Sequence, residues 1–285
     1  MDKASAYRLG VSLLTLTLVF IGVQILDWAP DVRAQVTAAS SAELAWLPNP
    51  SPALAPADPF LIQTWGTTIS VPGIYQLAAD LSGTTGTAVI VASGNVTILG
   101  NGKTIRGDGN FTESTNKETG ISIGNNSNVI INGVRFAQLD TAIQATNTSP
   151  VQGNTISNVG VDTSGSGFRW SNQSTVQDIT FNYVTLNYVR DYAIYWYNTA
   201  STTRSEGVWI TNSRIQNTGK SGGTGYGVYF SNRGVAQNTS ITSDTFTGNK
   251  KDIVAYSYSD TTRNLNMSNN LFQSSGQPIY VVSSQ

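Results

Sequence analysis

Apolar side chains recur along this chain in pairs two positions apart, and the pairs themselves return about every 25 residues. Five windows carry the pattern apolar-x-apolar-x-Asn: Ile121-x-Ile123-x-Asn125, Ile143-x-Ala145-x-Asn147, Phe168-x-Trp170-x-Asn172, Ile194-x-Trp196-x-Asn198 and Val228-x-Phe230-x-Asn232. Looser copies flank them at Val89-x-Val91-x-Ser93, Val254-x-Tyr256-x-Tyr258 and Ile279-x-Val281-x-Ser283. The starting positions 89, 121, 143, 168, 194, 228, 254 and 279 differ by 32, 22, 25, 26, 34, 26 and 25. Alternation of apolar and polar residues is the signature of a strand with one buried face. A repeat of this length is too long for the hairpins of a sandwich, which return every ~8–12 residues. A second set of apolar residues follows in most repeats: Val129, Ile131, Phe136; Ile179, Phe181, Leu186; Val208, Ile210, Ile215; Leu265, Met267, Phe272. Short strands in the same order in every repeat stack in parallel, so the pattern predicts an all-β solenoid of about eight turns.

Asparagine at a fixed position in each repeat has two physical uses. It tolerates the left-handed backbone of a tight corner, and its amide can bond to the asparagine one turn away, satisfying polar groups buried there. The expectation is one ladder of Asn125, Asn147, Asn172, Asn198 and Asn232 behind one inward stack of Ile121, Ile143, Phe168, Ile194 and Val228.

The segment Pro72-Gly73-Ile74-Tyr75-Gln76-Leu77, followed by Asn95-Val96-Thr97-Ile98 and Gly102-Lys103-Thr104-Ile105-Arg106-Gly107, resembles the opening of secreted right-handed parallel β-helix proteins of the pectin-lyase-like superfamily. The resemblance runs from about Pro72 to the C-terminus. It implies a right-handed parallel β-helix and leaves the activity open, because one fold hosts lyases, hydrolases, adhesins and spikes.

The register assigns faces to the segment Asp191-Tyr192-Ala193-Ile194-Tyr195-Trp196-Tyr197-Asn198. Ile194 and Trp196 point inward, so Tyr195 and Tyr197 point out. The outward column one residue after the first apolar position reads Ser122, Gln144, Arg169, Tyr195, Tyr229, Ala255, and Tyr192 and Tyr226 share a neighbouring offset. Nine of the twelve tyrosines lie between residues 183 and 258. Rungs ~4.8 Å apart let such rings stack into a platform, and Arg169, Tyr192, Tyr195, Tyr197, Tyr226 and Tyr229 form a candidate polysaccharide-binding surface. The long loops Thr199 to Gly207 and Thr218 to Gly225 are expected to border it on one side. The bland alternative is a stack that only covers the sheet.

The ends of the chain add localisation. Lys3 and Arg8 precede an uncharged run from Leu9 to Leu26, and Val32 and Ala34 suit signal-peptidase cleavage after Ala34. The run of 18 residues is also long enough to span a bilayer, so residues 1–34 read as a signal peptide or a signal anchor. Residues 35–57 are a Pro/Ala/Ser-rich linker, and 58–285 form the β-helix domain, with a cap and first strands in 58–88. The protein is therefore expected to be exported: secreted, periplasmic or cell-surface, touching the membrane only through an uncleaved N-terminal segment. Self-association through the C-terminal turn is a further expectation, because Ile279 and Val281 would line a bare end unless a loop such as Ser257 to Arg263 covers it.

Composition narrows the chemistry. A net charge of -1 with no basic cluster argues against nucleic acid as a partner. The chain contains no cysteine and no histidine, which removes Ser-His-Asp and Cys-His catalysis and the commonest transition-metal ligands. An enzyme on this scaffold would be a polysaccharide lyase or glycoside hydrolase working through Asp, Glu, Arg or Tyr. Arg169, Asp191 and Asp252 are its weak catalytic candidates, the two aspartates falling at almost the same offset of their repeats. Calcium enters only under the lyase alternative, where family members use acidic ligands; otherwise no cofactor and no metal is expected. Binding or a structural and adhesive role leads.

Overall fold

The computed structural model describes residues 58–111, 117–220, 222–257, 262–274 and 276–283. The signal or anchor segment and the linker lie outside the described residues, as does most of the loop expected to cover the last turn.

The described residues form strands, turns and bends without a helix, and the strands lie in three sheets whose pairings are all parallel. Each turn of the chain visits the sheets in the same order. Val176–Asn182 belongs to sheet I, Thr185–Asn187 to sheet II and Tyr192–Asn198 to sheet III, and Arg204–Thr211 returns to sheet I beside Val176–Asn182. Sheet III has nine strands, from Thr67–Ile69 to Gln277–Ser283, hence eight turns between the first and the last. This is a parallel β-helix, as the resemblance implies.

The inward stack follows the expected register. Val89, Ile121, Ile143, Phe168, Ile194 and Val228 face one another on successive rungs. The next member is Ile253 rather than Val254. Both neighbours are apolar, so alternation alone could not choose between them, and a slip of one residue exchanges the faces of a strand. Val254 thus stands on the outward column in place of Ala255, between Tyr229 and Tyr280. Aromatic residues widen the middle of the core. Trp170 and Trp196 are fully buried and stack at 5.9 Å with 7° between their planes, Phe168 stacks on Phe181 at 5.4 Å, and Trp170 meets Phe181 edge-on.

Among the described side chains the asparagine ladder runs over three rungs, for one of the two expected reasons. Asn147, Asn172 and Asn198 are buried and in register, and their amides meet at 3.0 Å. The Ser205 hydroxyl joins the row by donating to Asn198 at 2.8 Å while accepting from the Trp196 indole at 3.0 Å. Asn232 continues the backbone register. Asn125 departs: it lies beyond its strand, is exposed, and accepts from the backbone of Thr148. None of these asparagines has a left-handed backbone; Asn147, Asn172 and Asn198 end extended strands, and burial of their amides explains those three.

The left-handed corners fall in three other columns. One bends sheet I at Asn95, Asn128, Gly153, Asp178, Gly207, Asn238 and Asn264. A second joins sheets I and II at Gly133, Asn158, Tyr183, Asn212, Ser243 and Asn269, and a third joins sheets II and III at Gln138, Thr163, Tyr188, Asn217, Gly248 and Ser274. Polar side chains inside the corners satisfy the backbone between turns. Ser213 N–H donates to Asp244 and Asp244 N–H to Asn270, where earlier turns place Val134, Val159 and Val184.

Candidate functional site

Sheet III presents its tyrosines as the register requires. In Tyr192–Asn198, Ala193, Ile194, Trp196 and Asn198 are buried, while Tyr192, Tyr195 and Tyr197 are half-buried on the outer face. The following strand repeats this with Tyr226 and Tyr229, which pair with Tyr192 and Tyr195. Tyr195 and Tyr229 are nearly parallel, 5.5 Å apart at 6°, and Tyr226 lies on Tyr229 at 5.3 Å and 14°. Tyr192 is inclined to all three, by 51° to 68°. The expected flat platform is therefore a ridge of shingled rings: parallel rings this close overlap face to face, so their outer margins and hydroxyls are what the ridge offers.

Cations and further rings extend the ridge. The Arg169 guanidinium lies 5.6 Å from the centre of Tyr195, and the Lys251 ammonium lies 5.2 Å from Tyr226 and 4.2 Å from Tyr280. Tyr256 joins Tyr229 at 5.7 Å and Tyr280 at 6.1 Å. Val254, in register between Tyr229 and Tyr280 on the outward column, is fully buried. Burial is the main cause that pushes the Tyr192 hydroxyl above its ordinary range, with Asp191 adding to it, so the phenol stays a hydrogen-bond donor at neutral pH.

The two long loops flank sheet III on opposite edges instead of one. Residues 199–203 follow Asn198 and bond back to Asn172, whereas Thr224 and Gly225, just before Tyr226, settle on Asp191. The second loop walls a polar trough of about 720 Å³ at the corner between sheets II and III. Gly109, Asn110 and Phe111 form one side, Gly222, Gly223 and Thr224 the other, and Arg190 and Asp191 lie between. Arg190 donates to Asp191 Oδ2 from Nε at 3.2 Å and approaches it from Nη2 at 3.1 Å, while Nη1 donates to the Phe111 carbonyl at 2.8 Å. Thr224 N–H donates to Asp191 Oδ1 at 3.3 Å, and its hydroxyl donates to the Asp191 carbonyl at 2.9 Å. A Cβ on Gly223 would collide with Arg190 and Asp191, so only glycine lets the loop lie this close.

No family model matches the chain, and no curated protein matches it. Among solved structures it is similar to the Azotobacter vinelandii mannuronan C-5 epimerase AlgE4 A-module, at 13% identity over 77% of this chain and 91% of that one, with a TM-score of 0.26. The assignment of the fold rests on the strand register itself.

The acidic candidates do not share one surface. Asp191 lies on the corner column with Gly165 and Gly225, whereas Asp252 falls two columns further on, with Ala193 and Gly227, and is fully buried with its Oδ1 accepting from Asn249. Because Ile253 rather than Val254 matches Ile194, the one-residue difference expected between their offsets is two in the structure, and one carboxylate ends outside and the other inside. Arg169 is exposed beside Tyr195 and belongs to the ridge. Two carboxyl groups with altered acidity, Glu118 and Asp244, carry no signal in the repeat pattern that would select them. Glu118 is fully buried and pushed up to about 7, chiefly by burial and next by Asp140, whose carboxylate also accepts from Glu118 N–H at 2.9 Å. Burial likewise pushes Asp244 up to about 7. Among the described residues no group of three or more acidic side chains is arranged to hold a metal ion.

Proposed function

We propose that this chain is exported and binds polysaccharide at the cell surface through the tyrosine ridge of sheet III. One observation carries the reading: Tyr192, Tyr195, Tyr226 and Tyr229 are in mutual ring contact on an outward face, with Arg169 and Lys251 over the rings at either side. The outer margins of a row of rigid amphipathic rings give the C–H groups of a sugar an edge to pack on, and phenol, guanidinium and ammonium groups supply hydrogen bonds to its hydroxyls. The uncharged N-terminal run supports export.

The deciding experiment is a glycan array probed with the protein and with Tyr195→Ala and Tyr229→Ala. Retention of a polysaccharide by the parent chain, lost by at least about tenfold in both variants while their melting stays close to the parent's, supports the reading. Variants that unfold would make the rings a structural cover and sink it. Release of shortened or unsaturated sugar from the bound polymer would move the protein to the lyase or hydrolase class.

A further inference from the structure

The trough beside the ridge has the donor and acceptor inventory of a sugar subsite. An arginine carries five N–H groups, of which Arg190 commits Nε to Asp191, one Nη1 N–H to the Phe111 carbonyl, and Nη2 to the ion pair with Asp191. Two N–H groups stay available. A carboxylate offers about four acceptor sites, and Asp191 spends them on Arg190 and on Thr224 N–H, leaving one on Oδ1. A free acceptor therefore sits next to free donors, held in place from both sides: Phe111 fixes the guanidinium and Thr224 fixes the carboxylate.

The charge within the pair is balanced, so the trough exerts little net pull on an anion. What matches it is a group that accepts from a cationic N–H and donates to a carboxylate oxygen within one small unit, which is the chemistry of neighbouring hydroxyls on a neutral sugar. The walls agree with this ligand. Gly109, Gly222 and Gly223 contribute backbone without bulk, and half-buried Phe111 supplies an apolar surface for ring C–H groups. The trough runs along the coil from the corner before Glu118–Ser122 to the corner before Tyr226–Asn232, four rungs or roughly 19 Å at ~4.8 Å each. It opens beside Tyr192, whose strand begins at the residue after Asp191.

We infer that this trough is a second subsite, which takes the neutral end or side branch of a glycan lying on the tyrosine ridge and reads adjacent hydroxyls through Arg190 and Asp191. The inference rests on the ridge reading for the identity of the polymer, and its test separates the two. The full chain is titrated with cellobiose, mannobiose and galactobiose, followed by saturation-transfer NMR and calorimetry, in parallel with retention of polymeric glycans on the array. The variants are Asp191→Asn, which removes the charged acceptor, Asn110→Trp, which fills the trough from an exposed position, and the double change Tyr195→Ala with Tyr229→Ala. At least one disaccharide is expected to bind the parent and to lose about tenfold or more in affinity with Asp191→Asn and with Asn110→Trp. The tyrosine pair should keep that affinity within about twofold while losing the polymer. Should Asp191→Asn fail to fold, Asn110→Trp decides alone. Disaccharides ignored by the parent, or bound equally by Asn110→Trp, overturn the subsite while leaving the ridge standing wherever polymer is still retained. Binding lost only with the tyrosine pair places the disaccharide on the ridge and also overturns it.

Discussion

Trp196 shows how much of the coil hangs on one side chain. Its ring is fully buried against Trp170, and its indole nitrogen holds the serine that joins the asparagine row. Trp196→Ala is expected to cost about 3–5 kcal/mol, because neighbouring rungs cannot collapse into the space, and a fall in the denaturation midpoint at unchanged slope checks it. Asp244 acts in the opposite sense. Its folded pKa of about 7 exceeds the ordinary 3.8, so the native state holds a proton that the unfolded chain gives up. Stability associated with Asp244 is thus intact below pH ~4 and declines as pH rises toward ~7. Asp244→Asn should match the parent near pH 4 and exceed it above pH 7 by up to roughly 3–4 kcal/mol. Glu118 titrates in the same window, so the measurement is the difference in thermal midpoint between variant and parent, taken across pH; a constant difference would refute the assignment.

At the scale of strands and corners, the sequence was legible where one residue type recurs at one offset. Asn147, Asn172 and Asn198 could be aligned because each follows an apolar pair whose partners also align. The end of the pattern failed at Ile253 and Val254, where two apolar neighbours remove the contrast that sets the face, and Val254 is buried although it stands on the outward column between Tyr229 and Tyr280. The left-handed corners were illegible for a different reason: their columns mix Asn, Gly, Ser, Thr, Gln, Asp and Tyr, so no residue type marks them. Tyr183 is the poorest fit among them. It is exposed, with φ of 53°, between turns that place Asn158 and Asn212 at the same corner, and both of those donate to an asparagine of a neighbouring strand. Tyr183→Asn should relieve the left-handed strain and raise stability by about 1 kcal/mol, read as a higher melting temperature. The ridge was legible in outline because tyrosines cluster locally in the chain, while the trough was not, since Phe111 and Arg190 are 79 residues apart and meet only when corners are stacked.

Across the whole molecule, each rung contacts chiefly the rung before and the rung after, so stability is close to a sum of like units and their interfaces. A deletion of residues 168–193 joins Gly167 to Ile194 at equivalent positions, because Phe168 and Ile194 face each other in register. The shortened chain is expected to fold, with undiminished β circular dichroism and a lower melting temperature. It should lose the trough, which needs Arg190 and Asp191, and a collapse to a disordered chain would show that the turns are not interchangeable in this sense.

The parallel indoles of Trp170 and Trp196 give the coil a spectroscopic signature. Two identical chromophores, 5.9 Å apart and 7° from parallel, couple their electronic transitions, so excitation is shared between adjacent turns. Any slip of one rung against the next by a residue would carry the second indole to the outside and uncouple the pair. Loss of the excitonic contribution in the aromatic circular dichroism, with the backbone signal unchanged, would therefore report a misregistered but still β-rich coil, a state that secondary-structure content alone cannot distinguish from the native one.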